Sequence, residues 1–354
     1  MDGQRHGGRG GITLGGSRTT SGAAVNNTLF RLELFFRKGR ANQTTKRAVS
    51  NLLILLFCLA AGIALRASGR LPEDAPLAFN AYVINVALPA LALVHLHRTE
   101  VTFDLLASAA GAWLMLGAAA VFFACFARRA RLDAATTGAL VLTGGLANTS
   151  FVGLPMIEAW IGREGLQYGI VIDQLGSYLA LSTFGLLVAA RYSGQTLHWS
   201  DMARRILTFP PLIALVIALI LRPIAFPDLL DDALARLGGT VAPIALLSVG
   251  CQLRLSALRA RINPLALGLA YKLFVGPLVI TLALLLILQI DVPITSLART
   301  VIVFEAAMGP MIGAAVVANH FKLDREITSL MVGIGVPLSL VAAPLWLVAA
   351  KAMT

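Results

Sequence analysis

The sequence predicts an all-α polytopic membrane protein, with ten transmembrane helices arranged as two inverted five-helix repeats. Three observations carry this expectation. Of 354 residues, 57% are hydrophobic and 13% are charged, against roughly 25% charged in a soluble domain. The apolar residues fall into ten stretches, most of them near the ~20 residues that a hydrocarbon core needs. Two proline-broken apolar stretches are also expected in each half at nearly one spacing: Pro89 to Pro155 is a step of 66 residues, and Pro243 to Pro310 a step of 67.

The stretches follow in order. The first, 48–66, begins abruptly after Lys46 and Arg47, and the second, 76–97, carries Asn80 and Asn85 ahead of Pro89 in NVALPALAL. An uninterrupted stretch at 103–127 precedes 134–161, which holds LANTSFVGLP ending at Pro155. The stretch 165–190 carries Asp173 and Gln174, and 206–221 is short. In the second half, 228–253 holds TVAPIALLSVG with Pro243, and 264–290 carries Lys272. EAAMGPMIG around Pro310 lies in 295–319, and 326–350 closes the chain. Residues 1–47 read as a disordered basic leader, 48–190 as the first repeat, 191–205 as a cytoplasmic loop and 206–350 as the second repeat. The leader reads as dispensable or as a misassigned start, since it lacks the apolar core and cleavage site of a secretory signal. The connections are too short to hold a soluble domain with its own core.

Charge supplies the orientation. The leader contributes seven of the eleven net positive charges. Beyond it, the loops after stretches 1, 3, 5, 7 and 9 hold thirteen Lys and Arg, including Arg128, Arg129, Arg204, Arg205, Arg254, Arg259, Arg261 and Arg325. The even loops and the C-terminus hold six: Arg98, Arg163, Arg222, Arg236, Arg299 and Lys351. The positive-inside rule makes the odd loops cytoplasmic and puts both termini outside. With five spans per half, the second half enters the membrane upside down relative to the first, as the proline spacing also implies.

Soluble-enzyme chemistry is largely absent. Cys58, Cys125 and Cys251 lie far apart in apolar stretches without CxxC spacing, and the five histidines form no metal-like cluster. There is no Walker A loop, GxSxG, HExxH or dinucleotide fingerprint. No cofactor, metal or nucleic acid is expected. An intramembrane enzyme would need a clustered nucleophile or carboxylate set; Asp228, Asp231 and Asp232 come nearest, on an outer loop.

Breaks in membrane helices free backbone groups that lipid cannot satisfy, so they persist only where protein or a watery cavity covers them. Paired breaks in two halves point to the substrate site of a secondary transporter. Pro155 cannot donate to the Phe151 carbonyl and Gly153 permits a bend, so an interruption is expected between about Asn148 and Pro155. Asn148, Thr149 and Ser150 can cap the downstream half-helix and reach a ligand, whose carboxylate suits the positive dipole end. The alternative is that the triplet only satisfies a kinked helix. Lys272, about eight residues into its stretch, and Glu305, five residues before Pro310, are costly in a bilayer and are coupling or ion-pair candidates together with Asp173. A purely structural ion pair is the alternative. Asn85 and Gln252 read as polar groups at helix interfaces.

The segment GALVLTGGLANTSFVGLPMIEAWIG resembles the fourth helix of the auxin efflux carrier family, in which an Asn-Thr pair precedes a Gly-x-Pro break. LPEDAPLAFNAYVINVALPALAL, VAPIALLSVGCQL, YKLFVGPLV and EAAMGPMIGAAVVANHFKLDREITSLMVGIGVPLSLVAAPL match in order, so the likeness covers about residues 48–350. The family includes plant auxin exporters and bacterial permeases for small carboxylates. The resemblance implies a scaffold and a transport domain, whose crossing broken helices 4 and 9 hold the substrate. The substrate set would be Asn148, Thr149, Ser150, Gly153 and Pro155 at one break and Met308, Gly309 and Pro310 at the other. Relatives often have Met-Pro directly where this chain has Met308-Gly309-Pro310.

The function expected is carriage of small organic anions across the membrane by alternating access. A sodium-coupled symporter of the bile-acid type is the runner-up. The expected partners are the bilayer, an organic anion and a proton or sodium ion, and a homodimer is compatible. Arg-rich, Lys-poor composition and Ala-rich helices point to a high-GC bacterium and its inner membrane.

Overall fold

The computed structural model describes residues 53–54, 56–196, 198–252, 261–290 and 292–352. They belong to one compact unit, Asn51–Thr354. The basic leader at 1–47, Arg254 and Arg259 lie outside the described residues. Among the described residues all regular structure is helical, and no strand forms beyond one isolated bridge.

Six helices are long and apolar enough to cross a membrane: α2 (Ala75–Leu96), α3 (Phe103–Ala127), α6 (Arg163–Ser193), α9 (Asp228–Gln252), α10 (Ile262–Leu288) and α13 (Arg325–Ala352). The expected spans at 48–66 and 206–221 appear as the short apolar helices α1 (Leu56–Ala67) and α8 (Pro210–Ile220). The 11 residues of α8 rise only about 17 Å. The expected spans at 134–161 and 295–319 are each broken in two. α4 (Ala134–Gly145) is followed by α5 (149–160), and α11 (Ser296–Ala306) by α12 (Ile312–His320). A polar helix, α7 (Trp199–Leu207), joins α6 to α8. Among the described residues, six helices meet by themselves the length and hydropathy that crossing demands, and the other four expected spans appear as short or broken helices.

The caps follow the local sequence. Asp133 accepts from the Thr136 N–H at 2.6 Å to start α4, and Thr295 accepts from the Ala298 N–H at 3.2 Å to start α11. Much of the outer surface is aliphatic, with Leu77, Val121, Leu286, Val341 and Val348 exposed. Lipid rather than water suits such a surface.

Packing separates two groups of helices. The C-terminal half of α2 packs on α8 and the first half of α9, and its N-terminal half on the second half of α9. α1 joins this group where Gly62 meets Gly250; a Cβ on Gly62 would lie 2.2 Å from the Leu247 carbonyl. Gly250 thus serves close helix approach. The second group holds α3, α4, α6 and α10 to α13. α9 then reaches across to the first turn of α5, placing that break at the seam between the groups.

The loops that share positive charge meet at one end. Gln195 Nε2 donates to the Phe321 carbonyl at 3.2 Å, and Thr136 Oγ1 donates to Asp324 Oδ2 at 2.6 Å. Arg261 bridges Asp324 at 3.3 Å and Glu326 at 3.1 Å. Those carboxylates raise the already high pKa of its guanidinium, which stays charged throughout any working range. At the other end Arg98 pairs with Asp231, Arg163 pairs with Glu158 at 3.1 Å, and Asp104 accepts from Tyr168 at 2.9 Å and Thr295 at 2.7 Å.

Candidate functional site

The two breaks complete each other. The Asn148 N–H donates to the Gly309 carbonyl at 2.8 Å, and the Met311 N–H donates to the Leu146 carbonyl at 3.1 Å. Ala147 and Pro310 face each other as an antiparallel bridge between these bonds. They form the non-hydrogen-bonded pair of that short ladder, so the position opposite Ala147 needs no N–H and tolerates proline. Backbone groups freed by one break are satisfied by the other, and both survive away from water.

The first break lies earlier than the sequence suggests. Leu146 is already extended, and helix resumes at Thr149 in a π turn over Thr149–Gly153. The Gly153 N–H there reaches the Asn148 carbonyl at 2.9 Å. Pro155 then sits at the start of the regular helix Leu154–Trp160, where a missing N–H costs little. At the second break, the Met308-Gly309-Pro310 departure has a clear use. A Cβ on Gly309 would lie 2.7 Å from Val336 Cα, so glycine lets α13 press against the crossing while its carbonyl serves Asn148.

The side chains of the first break divide their work. Asn148 Oδ1 caps the Phe151 N–H at 3.1 Å, while its Nδ2 is buried without a hydrogen-bond partner. Thr149 Oγ1 donates to Asp173 Oδ1 at 2.5 Å, and Ser150 donates to the same oxygen. Those hydroxyls tie α5 to α6, and Asn148 alone of the triplet keeps a spare donor. Asp173 is buried within a second π turn, Ile172–Tyr178.

Glu305 is 1% exposed, and neither carboxylate oxygen has a hydrogen-bond partner. Its head lies over Gly153, where an added Cβ would come 2.2 Å from Oε2. Beside it a small cavity of about 10 Å³ is lined by Thr149, Ser177 and Ala306. Such a space is near the minimum for one water molecule. Ser177 Oγ and Gln174 Oε1 are also buried without partners. Ser177 escapes a sequence reading, although its place four residues after Asp173 on one helix face is the signal that could find it.

Lys272 is fully buried on a third π turn, Tyr271–Val275. Its Nζ donates to the Ala306 carbonyl at 3.3 Å and approaches Met115 Sδ at 3.8 Å. It therefore caps the C-terminal, partially negative end of α11, one residue beyond Glu305. Lys272 and Glu305 interact electrostatically without a direct hydrogen bond. Three of the wide turns thus carry Ser150, Asp173 and Lys272, in keeping with the tendency of π turns to mark functional places.

A larger cavity of about 440 Å³ opens between the two helix groups. Arg66, Asp74 and Gln252 line one wall, and Ile312, Asn319 and Arg325 line the other. Ile312 begins α12, so the cavity reaches the second break. Gln252 donates to Ser248 Oγ at 3.1 Å, and Ser248 donates to Asn80 Oδ1 at 2.6 Å across α2 and α9. Asn85 is exposed and returns its amide to the Ala81 carbonyl of its own helix at 2.7 Å. Asp231 is engaged by Arg98, away from both cavities. No group of three or more His, Cys, Asp or Glu suited to a metal exists among the described residues.

The family described as "Membrane transport protein" matches residues 48–347. The chain belongs to this family, the auxin efflux carrier family of transporters. An uncharacterized transporter of Methanothermobacter thermautotrophicus is 28% identical over 306 residues, covering 86% of this chain and 97% of that relative. An uncharacterized transporter of Methanocaldococcus jannaschii is 25% identical over 313 residues, covering 83% of this chain and 96% of its own. The protein is a membrane transporter, and its crossing point is assembled from the segments that carry the family resemblance.

Proposed function

We propose that this transporter is a secondary carrier that moves small organic anions, such as carboxylates, by alternating access. In this reading ten membrane segments form two inverted repeats with both termini outside, and the short and broken helices complete the set. The observation that carries it is the mutual pairing of the two breaks beside a cavity that separates two helix groups. Four half-helix ends converge there. The N-terminal ends of α5 and α12 offer positive partial charge to a carboxylate, and the spare Asn148 Nδ2 adds a directed donor. Relative movement of the two groups about the crossing would open the site to each side in turn.

The coupled version of this reading draws on Glu305. Two buried carboxylate oxygens without partners, next to Thr149 and Ser177, suit a proton or a sodium ion that travels with the substrate. Uptake of a labelled carboxylate panel into proteoliposomes, with and without sodium and proton gradients, tests both points. Saturable uptake of a carboxylate supports the carrier, and dependence on one gradient identifies the coupling ion. No uptake of any carboxylate under any gradient would remove the anion reading.

A further inference from the structure

A second cavity, of about 390 Å³, lies at the end of the bundle where α6 and α12 finish, away from the crossing. Its lining includes Arg204, Arg205, His198, His320, Gln195 and Thr208, and no acidic side chain among the described residues. All six are exposed, and neither arginine takes part in an ion pair among the described residues. A concave cluster of arginines with hydroxyl and amide donors recognises an anion with several oxygens.

The walls are fixed. Gln195 donates to the Phe321 carbonyl at 3.2 Å, tying the loop after α6 to the end of α12. Tyr178 donates to the Arg205 carbonyl at 2.7 Å, and its ring stacks on Phe209 at 3.4 Å, holding the far end of α7. α7 itself is strongly two-faced. At 100° per residue, Trp199, Met202, Ala203, Ile206 and Leu207 share one side, and Ser200, Asp201 and both arginines fall on the other, a face with net positive charge. Met202 is buried, while Trp199 and Leu207 are 71% and 73% exposed. Exposed Trp and Leu flanking a basic face mark a helix that lies in a membrane interface.

We propose that this cavity binds the phosphate headgroup of an anionic phospholipid, with α7 lying in the interface and Arg204 and Arg205 gripping the phosphate. The cavity opens where the membrane helices end, at headgroup depth, and the apolar flank of α7 faces the acyl boundary. A soluble phosphate would find the same cations but gain nothing from Trp199 and Leu207. The site is separate from substrate translocation and concerns the lipid that surrounds the carrier.

Native mass spectrometry of the full chain, released from mixed phosphatidylglycerol and phosphatidylcholine, tests this. The wild-type protein should retain phosphatidylglycerol at least tenfold over phosphatidylcholine. The double variant Arg204→Gln/Arg205→Gln should lose that preference, and His198→Gln/His320→Gln should reduce it. Arg129→Gln, another exposed arginine, should leave it intact. All substituted side chains are exposed, so size exclusion should show each variant folded, and thermal midpoints in phosphatidylcholine should match the wild type. Unchanged preference in the Arg204/Arg205 variant overturns the proposal. Equal loss in Arg129→Gln also overturns it, by showing a general effect of charge. A third arm adds millimolar inorganic phosphate or glycerol 3-phosphate. Displacement of the lipid by inorganic phosphate at concentrations comparable to the lipid would make this a soluble-anion site and refute the lipid assignment.

Discussion

Asn148 offers the sharpest test of the crossing, because its two side-chain atoms have separable jobs. Oδ1 caps the Phe151 N–H, and Nδ2 is buried without a hydrogen-bond partner. Asn148→Ser keeps an N-cap oxygen of nearly equal quality but removes the amide donor. A buried donor without a partner costs about 1–3 kcal/mol, so without added substrate the Ser variant should be as stable as the wild type or more so. If the amide meets a substrate carboxylate, its loss removes a charge-assisted hydrogen bond of about 1.5–3 kcal/mol. Affinity for the carboxylate found in the uptake panel should therefore fall about 10- to 150-fold. Asn148→Ala should show the same affinity loss and about 1 kcal/mol lower stability than the Ser variant, from the missing cap. Thermal unfolding in one detergent and titration of the same carboxylate separate the two effects. Wild-type affinity in Asn148→Ser would refute the placement of substrate at this amide.

Glu305→Gln keeps size and removes charge, so it should change the sodium or proton dependence of uptake more than substrate affinity; loss of binding with unaltered ion dependence would reverse the roles assigned to the two breaks. Lys272→Met should destabilise the protein by removing the donor that caps the Ala306 carbonyl and the cation beside Glu305, and adding Glu305→Gln should recover part of the loss, with a coupling of about 0.5–3 kcal/mol; strictly additive effects on unfolding would show that the two side chains do not communicate. Gly309→Ala forces a Cβ to within 2.7 Å of Val336 Cα, so stability should drop by about 1–3 kcal/mol and uptake should slow; a variant with wild-type unfolding would mean that α13 yields freely. For topology, a cysteine at Ser193 in a background lacking Cys58, Cys125 and Cys251 should react with an impermeant thiol reagent only after permeabilisation; labelling in intact cells would invert the orientation.

Sequence alone determined the class of this protein, because lipid imposes a simple rule on composition and every apolar stretch records it. Of the four prolines at matched spacing, Pro155 and Pro310 mark the breaks, since proline lacks a donor and its cost in a helix is local, whereas helix continues through Pro89 and Pro243, near the starts of their helical segments, so a proline alone does not announce a break. Which groups answer those breaks was decided by tertiary structure. The Asn148 and Met311 N–H groups find Gly309 and Leu146 more than 160 residues away in the chain, and no local pattern encodes that exchange. The same holds for polar roles. Residue type marks Asn148, Thr149 and Ser150 equally, yet two of them are spent on Asp173 from α6, leaving Asn148 with an amide to spare. Lys272 and Glu305 look like a salt bridge on paper, but the lysine turns to the Ala306 carbonyl because a helix that stops inside the protein leaves acceptors that need a donor. Hydrophobicity and backbone preference act over a few residues and can be read in order along the chain, whereas satisfaction of buried polar groups is a property of the packed whole.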